Sequence, residues 1–407
     1  MLRVAVLGAN GFIGTRTVEM LHLGDLAEPR PVVRNVARLA RLSRFALDCR
    51  IADGFDQSAL QAAFHGCHVV VHAIAGDPNT IRGTLAPAYR AAQEAGVQRF
   101  IYLSTAAVHG QAPEAGTAEK SPLNGKQLLS YNNAKVNAER MLQRLRTRGH
   151  VELVVLRPGV VFGPRSSWVT RFIEALLAGQ GYMVNDGRGV CNSAYVDNVV
   201  HAIYLAMTAC DVDREAFLIG DQERITWADF YQPFAEALGY DLSKVQRVSP
   251  FSSGSDSKNR LETIRAAHPV QSVLSFLPGK AQSALSAIGR HLINPRPVSL
   301  SPWQVPHASM PQATLEMSLL HQCSYKLPFD KAGRLLKYEP PVSFAEACRR
   351  TVSWLAFAGY PVKCAPDLLN GERFKDDAAE KPGKHGVAQI LRSQGEKTFQ
   401  SSLEPPG

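Results

Sequence analysis

The chain alternates short apolar runs with segments of helical periodicity. The runs fall at 3–8 (RVAVLG), 31–35 (PVVRN), 68–75 (HVVVHAIA), 99–105 (RFIYLST) and 152–158 (ELVVLRP). Between them lie helical patterns such as Phe12, Val18 and Leu21, then Ala59, Leu60, Ala63 and Phe64. Continuous apolar runs suit strands covered on both faces. Strands alternating with helices predict an α/β fold, a doubly wound parallel sheet with right-handed crossovers. This sheet is expected mainly over residues 1–160. A smaller C-terminal lobe is expected over 161–369, with a segment at about 190–205 returning to the sheet. Residues 241–310 change character, being rich in Ser, Pro, Arg and small apolar residues, and read as an inserted segment. Residues 327–360 show two helical patterns joined by a Pro-Pro turn. Residues 370–407 turn polar and read as a disordered tail.

Composition narrows the class. With 407 residues, 45% apolar and 20% charged, the chain has the make-up of a soluble globular protein. It is not a collagen or a disulfide-rich mini-protein, and no apolar run is long enough for a membrane span. The net charge of +9 is local. Residues 30–50 carry six arginines against Asp48, and residues 241–300 carry eight basic against three acidic side chains. No nucleic-acid motif accompanies either segment, so nucleic acid is not an expected partner. The seven cysteines form no CxxC pair, which suits reduced thiols and speaks against a zinc site. The start lacks a signal-peptide pattern. A cytoplasmic protein is expected.

Gly8, Gly11 and Gly14 lie between the first strand and the first helix. Glycines there permit a tight turn, close approach of backbone to a pyrophosphate and close helix packing. The helix N-terminus then presents its partial positive charge. Dinucleotide binding is the expected chemistry. At the end of the second strand an NAD site usually carries an acid for the ribose 2′-hydroxyl. This chain has Arg34 there, followed by Arg38 and Arg41. A guanidinium pairs with a 2′-phosphate, so NADP is expected over NAD.

Tyr131 and Lys135 sit at i and i+4 in SYNNAKVNAERMLQRL and share a helix face. A nearby ammonium favours the phenolate and lowers a tyrosine's pKa. Ser104 or Thr105, at a strand end, could orient a carbonyl or alcohol. No HExxH or G-x-S-x-G motif is present, which argues against metalloenzyme and hydrolase chemistry.

Taken together, these segments resemble the extended short-chain dehydrogenase/reductases, the NAD(P)-dependent epimerases and dehydratases of nucleotide sugars, over about 1–240 and 325–360. The resemblance implies a Rossmann-like cofactor domain with a substrate lobe. GANGFIG implies cofactor contacts from Gly8, Asn10, Gly11, Phe12, Ile13 and Gly14. IADGFD, HVVVHAIA and LRPGVVFGP add Asp53 beside the adenine, Ala73 and Ile74, and Pro158 near the nicotinamide. YLSTAAVHG implies that Thr105 is the catalytic hydroxyl. YNNAK implies Tyr131 as acid/base, with Lys135 as its partner and a cofactor ligand. AYVDNVVHAI resembles the family's YVDDV segment.

The chain also departs from the family. Ala106 and Ala107 stand where a dehydratase carries an Asp-Glu pair, so an epimerase or reductase is expected. His109 stands where tyrosine is common. His72 reads as structural and Asp197 as an anchor of local backbone. Arg165 and Arg188 are candidates for holding a substrate diphosphate. The expected function is hydride transfer at a carbinol or ketone of a nucleotide sugar. Its rivals are a 3β-hydroxysteroid-dehydrogenase-like oxidation of a hydrophobic alcohol and a non-catalytic NADP sensor. Within 270–297, Leu285, Ile288 and Leu292 form one helical stripe flanked by Lys280, Arg290 and Arg296. It suits a lid or a homodimer contact first and a peripheral membrane contact second.

Overall fold

In a computed structural model, residues 1–250 and 313–363 are described. The inserted segment from 251 on, the stripe at 270–297 and the tail at 370–407 lie outside them. The core is a seven-stranded parallel sheet. Its strands are β1 (Arg3–Leu7), β2 (Glu28–Val33), β3 (Arg50–Ile51), β4 (Val69–His72), β5 (Arg99–Leu103), β6 (Glu152–Pro158) and, returning last, the segment Ala216–Ile219. The spatial order is Ala216–Ile219, β6, β5, β4, β1, β2, β3. Chain direction across the sheet reverses between β1 and β4, and ligands bind such sheets at that switch point.

The apolar runs at 3–8, 68–75, 99–105 and 152–158 became strands. The strand after the first helix begins earlier than expected, because Glu28–Arg30 also pairs with β1. Arg30 and Val32 direct their backbone towards β1, while Pro29 and Pro31 face the other way, where β3 reaches only Val32 and Val33. The missing proline N–H groups therefore cost no ladder bond. Two strands carried no apolar signal long enough to read: β3, of two residues, and Ala216–Ile219, which pairs with Val155–Pro158.

Helices cover both faces. α1 (Phe12–Leu23) packs with the later helix Val196–Thr208 on one side. On the other side lie α2 (Gln57–Phe64), α3 (Pro78–Gly83), α4 (Leu85–Glu94) and α5 (Ser130–Thr147). Near 190–205, Ser193–Tyr195 pairs with Val160–Phe162 in a separate two-stranded ribbon. The segment then returns to the sheet as a helix over its face, through Val199, Ala202 and Ile203.

A second, aromatic core is built from Phe162, Phe172, Tyr195, Trp227, Phe230, Phe234 and Phe344. It gathers α6 (Ser167–Leu177), the start of α7 (Val196–Thr208), α8 (Trp227–Ala237), α9 (Leu315–Leu320) and, skipping α10 (Asp330–Leu336), α11 (Phe344–Phe357), while α10 packs through Ala332 and Leu336 into the core over the sheet. α10 and α11 are the two helices expected around the Pro-Pro turn. Among the described residues no helix is long and apolar enough to cross a membrane.

Candidate active site

The switch point opens into a cleft of about 310 Å³. Gly8, Asn10 and Gly11 line its floor, Arg34 and Arg38 its β2 end, Asp53 one wall, and Ala73 and Ile74 the β4 end. Gly8 has φ +89°, and a Cβ on it would lie 3.0 Å from the Ala73 carbonyl carbon and the Ile74 nitrogen. A Cβ on Gly14 would lie 2.3 Å from the Gly8 carbonyl oxygen. The two glycines thus let helix and strand close to backbone contact and leave the amide edge of α1 open to a ligand. Ile13 and Phe12 point instead into the apolar cores. Asp53 accepts a hydrogen bond from Phe55 N (3.0 Å), which fixes its carboxylate at the rim. It is the single acid among the cleft-lining residues. The glycine turn, the open helix amides and the guanidiniums lining this cleft suit a nicotinamide dinucleotide.

Beyond the cleft, α5 carries Tyr131 in its first turn and Lys135 one turn later. Its start is tied to the turn that follows β5. Gln127 donates to Val108 O (2.9 Å), Asn132 donates to Gln127 (2.8 Å), and Asn133 accepts from Gln127 N (2.8 Å). The two asparagines of YNNAK thereby hold the helix start against the segment that begins at Thr105. Neither asparagine carries a signal of this role in the sequence alone.

Ser104 and Thr105 have different fates. Ser104 is buried and donates a hydrogen bond to the Glu139 carboxylate. Thr105 is half-buried, and its Oγ accepts from Ala107 N (3.2 Å), which leaves its O–H free to donate. Pro158 ends β6, next to the sheet strand Ala216–Ile219.

Lys135 is fully buried and donates to Leu103 O (2.7 Å), with its ammonium 4.8 Å from the Tyr102 ring centre. Burial brings its pKa down to about 8, against the pull of Glu139. Tyr131 is just over a third exposed. Its phenol is pushed up to about 12, first by desolvation and then by the Glu316 carboxylate. This is opposite to the lowering expected from the Tyr131–Lys135 spacing. The helical spacing puts both residues on one face, but the ammonium is spent on Leu103 O and the Tyr102 ring, while a carboxylate arrives from far along the chain.

His72 is structural, as expected. It is buried, its Nε2 lies 3.2 Å from Thr84 Oγ1, and desolvation holds its pKa down to about 3. Asp197 is buried too, but it anchors side chains and not local backbone. Arg16 of α1 binds it at 2.6 Å and Arg350 of α11 at 3.2 Å. His109 lies 3.2 Å from Arg157. Arg165, at φ +75°, lies 3.9 Å from Glu19 of α1. Arg188 is exposed, with Asp186 3.4 Å away. The two candidate diphosphate arginines thus rest on different acids.

A profile of the NAD dependent epimerase/dehydratase family matches residues 4–220. The chain belongs to that family. It is 25% identical, over 85% of its length, to the Arabidopsis thaliana 3beta-hydroxysteroid-dehydrogenase/decarboxylase isoform 2. It is 25% identical, over 58% of its length, to the UDP-glucose 4-epimerase of Vibrio cholerae and covers 75% of that protein. The match spans 61% of the length of the first plant relative, and 62% and 48% of its isoforms 1 and 3.

Among solved structures, the Thermotoga maritima UDP-glucose 4-epimerase with UDP-glucose superposes with a TM-score of 0.62 at 21% identity, over 88% of this chain and 99% of that one. The Bacillus cereus UDP-glucuronic acid 4-epimerase, solved with UDP-glucuronic acid and NAD, gives 0.62 at 17%, over 88% and 100%. Both share this Rossmann-like fold.

Proposed function

We propose that the protein is an NADP-dependent oxidoreductase that moves a hydride at a secondary alcohol or ketone, with Tyr131 as acid/base. What supports this reading is that Lys135, one turn past Tyr131 on α5, donates to Leu103 O at the end of β5, two residues before Thr105 and one strand over from the cleft wall at Ala73. A nicotinamide dinucleotide bound there supplies the hydride donor or acceptor. Gly8, Asn10 and Gly11 would cradle its phosphates with Phe12, Ile13 and Gly14 forming the helix start, and Asp53, Ala73, Ile74 and Pro158 would flank its rings. Arg34 and Arg38 would pair with a 2′-phosphate.

Tyr131 holds its proton at neutral pH because desolvation and Glu316 both oppose the phenolate. It is therefore set up as an acid. In reduction, a hydride reaches the carbonyl carbon, the carbonyl π pair becomes the alkoxide lone pair, and that oxygen takes the Tyr131 proton. Tyr131 regains a proton from solvent. Thr105 O–H donates to the same oxygen. Lys135 supports the strand end at Leu103, and its remaining N–H donors would hold the ribose of a bound cofactor.

A hydrophobic cyclic alcohol is the substrate class we favour. The similarity to the plant 3beta-hydroxysteroid dehydrogenase runs over 385 residues, well past the family profile. Arg165 and Arg188, the candidates for a substrate diphosphate, each already have a carboxylate beside them, Glu19 and Asp186. A nucleotide sugar is the second reading, favoured by the likeness to the epimerase folds. The test is reduced-nicotinamide absorbance with NADP(H) and NAD(H), against 3β-hydroxysteroids, their ketones and nucleotide sugars. Turnover of none of them with either cofactor, in protein that binds cofactor, would overturn the enzymatic reading in favour of a binding module.

A further inference from the structure

Among the described residues, Glu316 is the one carboxylate from beyond residue 250 that acts on Tyr131. It lies in the first turn of α9, which is held at both ends. Thr314 caps the helix by accepting from Met317 N (3.2 Å). At the far end Trp227 Nε1 donates to Leu320 O (3.3 Å). The buried His321 ring stacks on Trp227 at 4.9 Å and meets Val184 O at 2.9 Å. Leu320 and Met317 pack in the aromatic core.

The helix therefore fixes where Glu316 points. Its carboxylate accepts from Gln111 Nε2 (3.4 Å). Gln111 directly follows Gly110, the end of the turn that starts at Thr105. Glu316 thus sits against the segment bearing the reactive hydroxyl, and its field falls on the Tyr131 phenol. Facing Glu316 are Tyr131 from α5, Gln111 from the turn and the exposed Arg171 from α6. Lys135 and the Tyr102 phenol lie deeper, beyond Tyr131. Among the described residues Glu316 and Arg171 form no ion pair, so the carboxylate is half-buried with its charge uncancelled by contact.

We propose that Glu316 is a specificity-setting residue of the Tyr131 site: its carboxylate admits a neutral or cationic group beside the reacting carbon and rejects an anionic one. Two like charges brought together in a partly desolvated site repel strongly. A neutral ring substituent meets only a hydrogen-bond acceptor. The choice cuts across both substrate classes, since a carboxyl group distinguishes UDP-glucuronic acid from UDP-glucose and a 4-carboxysterol from its parent 3β-alcohol. Burial also raises the Glu316 carboxyl above the usual range. Discrimination should accordingly weaken as pH falls and the carboxylate takes up a proton.

The inference rests on the reading of Tyr131 as acid/base, so its test has two arms. In the first, full-length protein carrying tyrosine labelled at 13Cζ is titrated by NMR, with the Tyr131 signal assigned by its loss in Tyr131→Phe. That signal should shift with the ionisation of Glu316, and the step should vanish in Glu316→Gln. A Tyr131 signal that titrates identically in both proteins overturns the proposal, whatever the turnover. In the second arm, turnover is compared within each pair, UDP-glucose against UDP-glucuronic acid and a 3β-hydroxysteroid against its 4-carboxylate. The neutral member should lead by roughly tenfold or more in kcat/KM. Glu316→Gln should erase most of that lead, and Glu316→Asp should keep it. A lead for the acid, or one that Glu316→Gln leaves intact, overturns the proposal while leaving the reading of Tyr131 standing. An NMR step without turnover of any probe supports the placement of Glu316 and counts against the enzymatic reading alone.

Discussion

Glu139 and Arg157 form an ion pair at 2.6 Å with both side chains 5% exposed. Glu139 lies one turn past Lys135 on α5, and Arg157 directly precedes Pro158 on β6. Glu139 also accepts from Ser104, the neighbour of Thr105. Arg157 in turn donates to Glu119 O (2.9 Å) and approaches His109. One buried pair therefore ties together the three backbone segments that carry Thr105, Lys135 and Pro158. Breaking such a pair leaves an uncompensated buried charge, at about 3–5 kcal/mol. Glu139→Ala should lose that much stability in urea denaturation. Glu139→Leu with Arg157→Met should recover most of it. A single variant within about 1 kcal/mol of the parent would show that the pair is not load-sharing in solution.

Tyr131→Phe should lower turnover by about 10²–10⁴-fold, the usual contribution of a general acid. It keeps the ring and removes only the ionisable hydroxyl, so NADPH affinity by fluorescence titration should change little. Turnover within two- or threefold of the parent would move the acid to another residue.

Arg34→Asp should turn cofactor preference from NADP towards NAD. It exchanges a partner for a 2′-phosphate for an acceptor of a 2′-hydroxyl. A hydrogen bond to a charged group is worth about 1.5–3 kcal/mol, so NADP affinity should fall roughly tenfold or more. Calorimetric titration of both cofactors reads this directly. A parent protein that binds NAD more tightly than NADP would refute the assignment before any variant is made.

Acid should destabilise the fold in a defined window. Burial depresses His72 to about 3, and His109 and His321 to about 4, from an ordinary 6.5. Below 6.5 the unfolded chain takes up these protons and the folded one does not, so stability rises with pH across the window and falls as acid is added. Each such histidine contributes a slope of about 1.4 kcal/mol per pH unit between its unfolded and folded values. Urea unfolding between pH 7 and pH 4, about the lower edge of that window, should show the loss, and replacing His72 by Phe should reduce it. A flat profile would mean that these imidazoles ionise freely in the folded protein.

Much of this protein was legible along the chain because the deciding forces are local. The run Val69–His72 and the glycines at 8, 11 and 14 specify a strand and a turn through burial on two faces and through backbone geometry, which depend on near neighbours. The i, i+4 spacing likewise put Tyr131 and Lys135 on one helix face, and the same spacing extended one turn would have pointed to Glu139. Three things needed the tertiary structure. Ala216–Ile219 became a sheet strand because β6 offered a free edge, and four residues carry no such information. Asp197 bound two distant guanidiniums, which its neighbours in sequence could not foretell. The direction of the Tyr131 shift was set by desolvation and by Glu316, 185 positions away in the chain. Charge acts through space, and which carboxylate arrives beside a phenol is decided only when helices from distant parts of the chain pack.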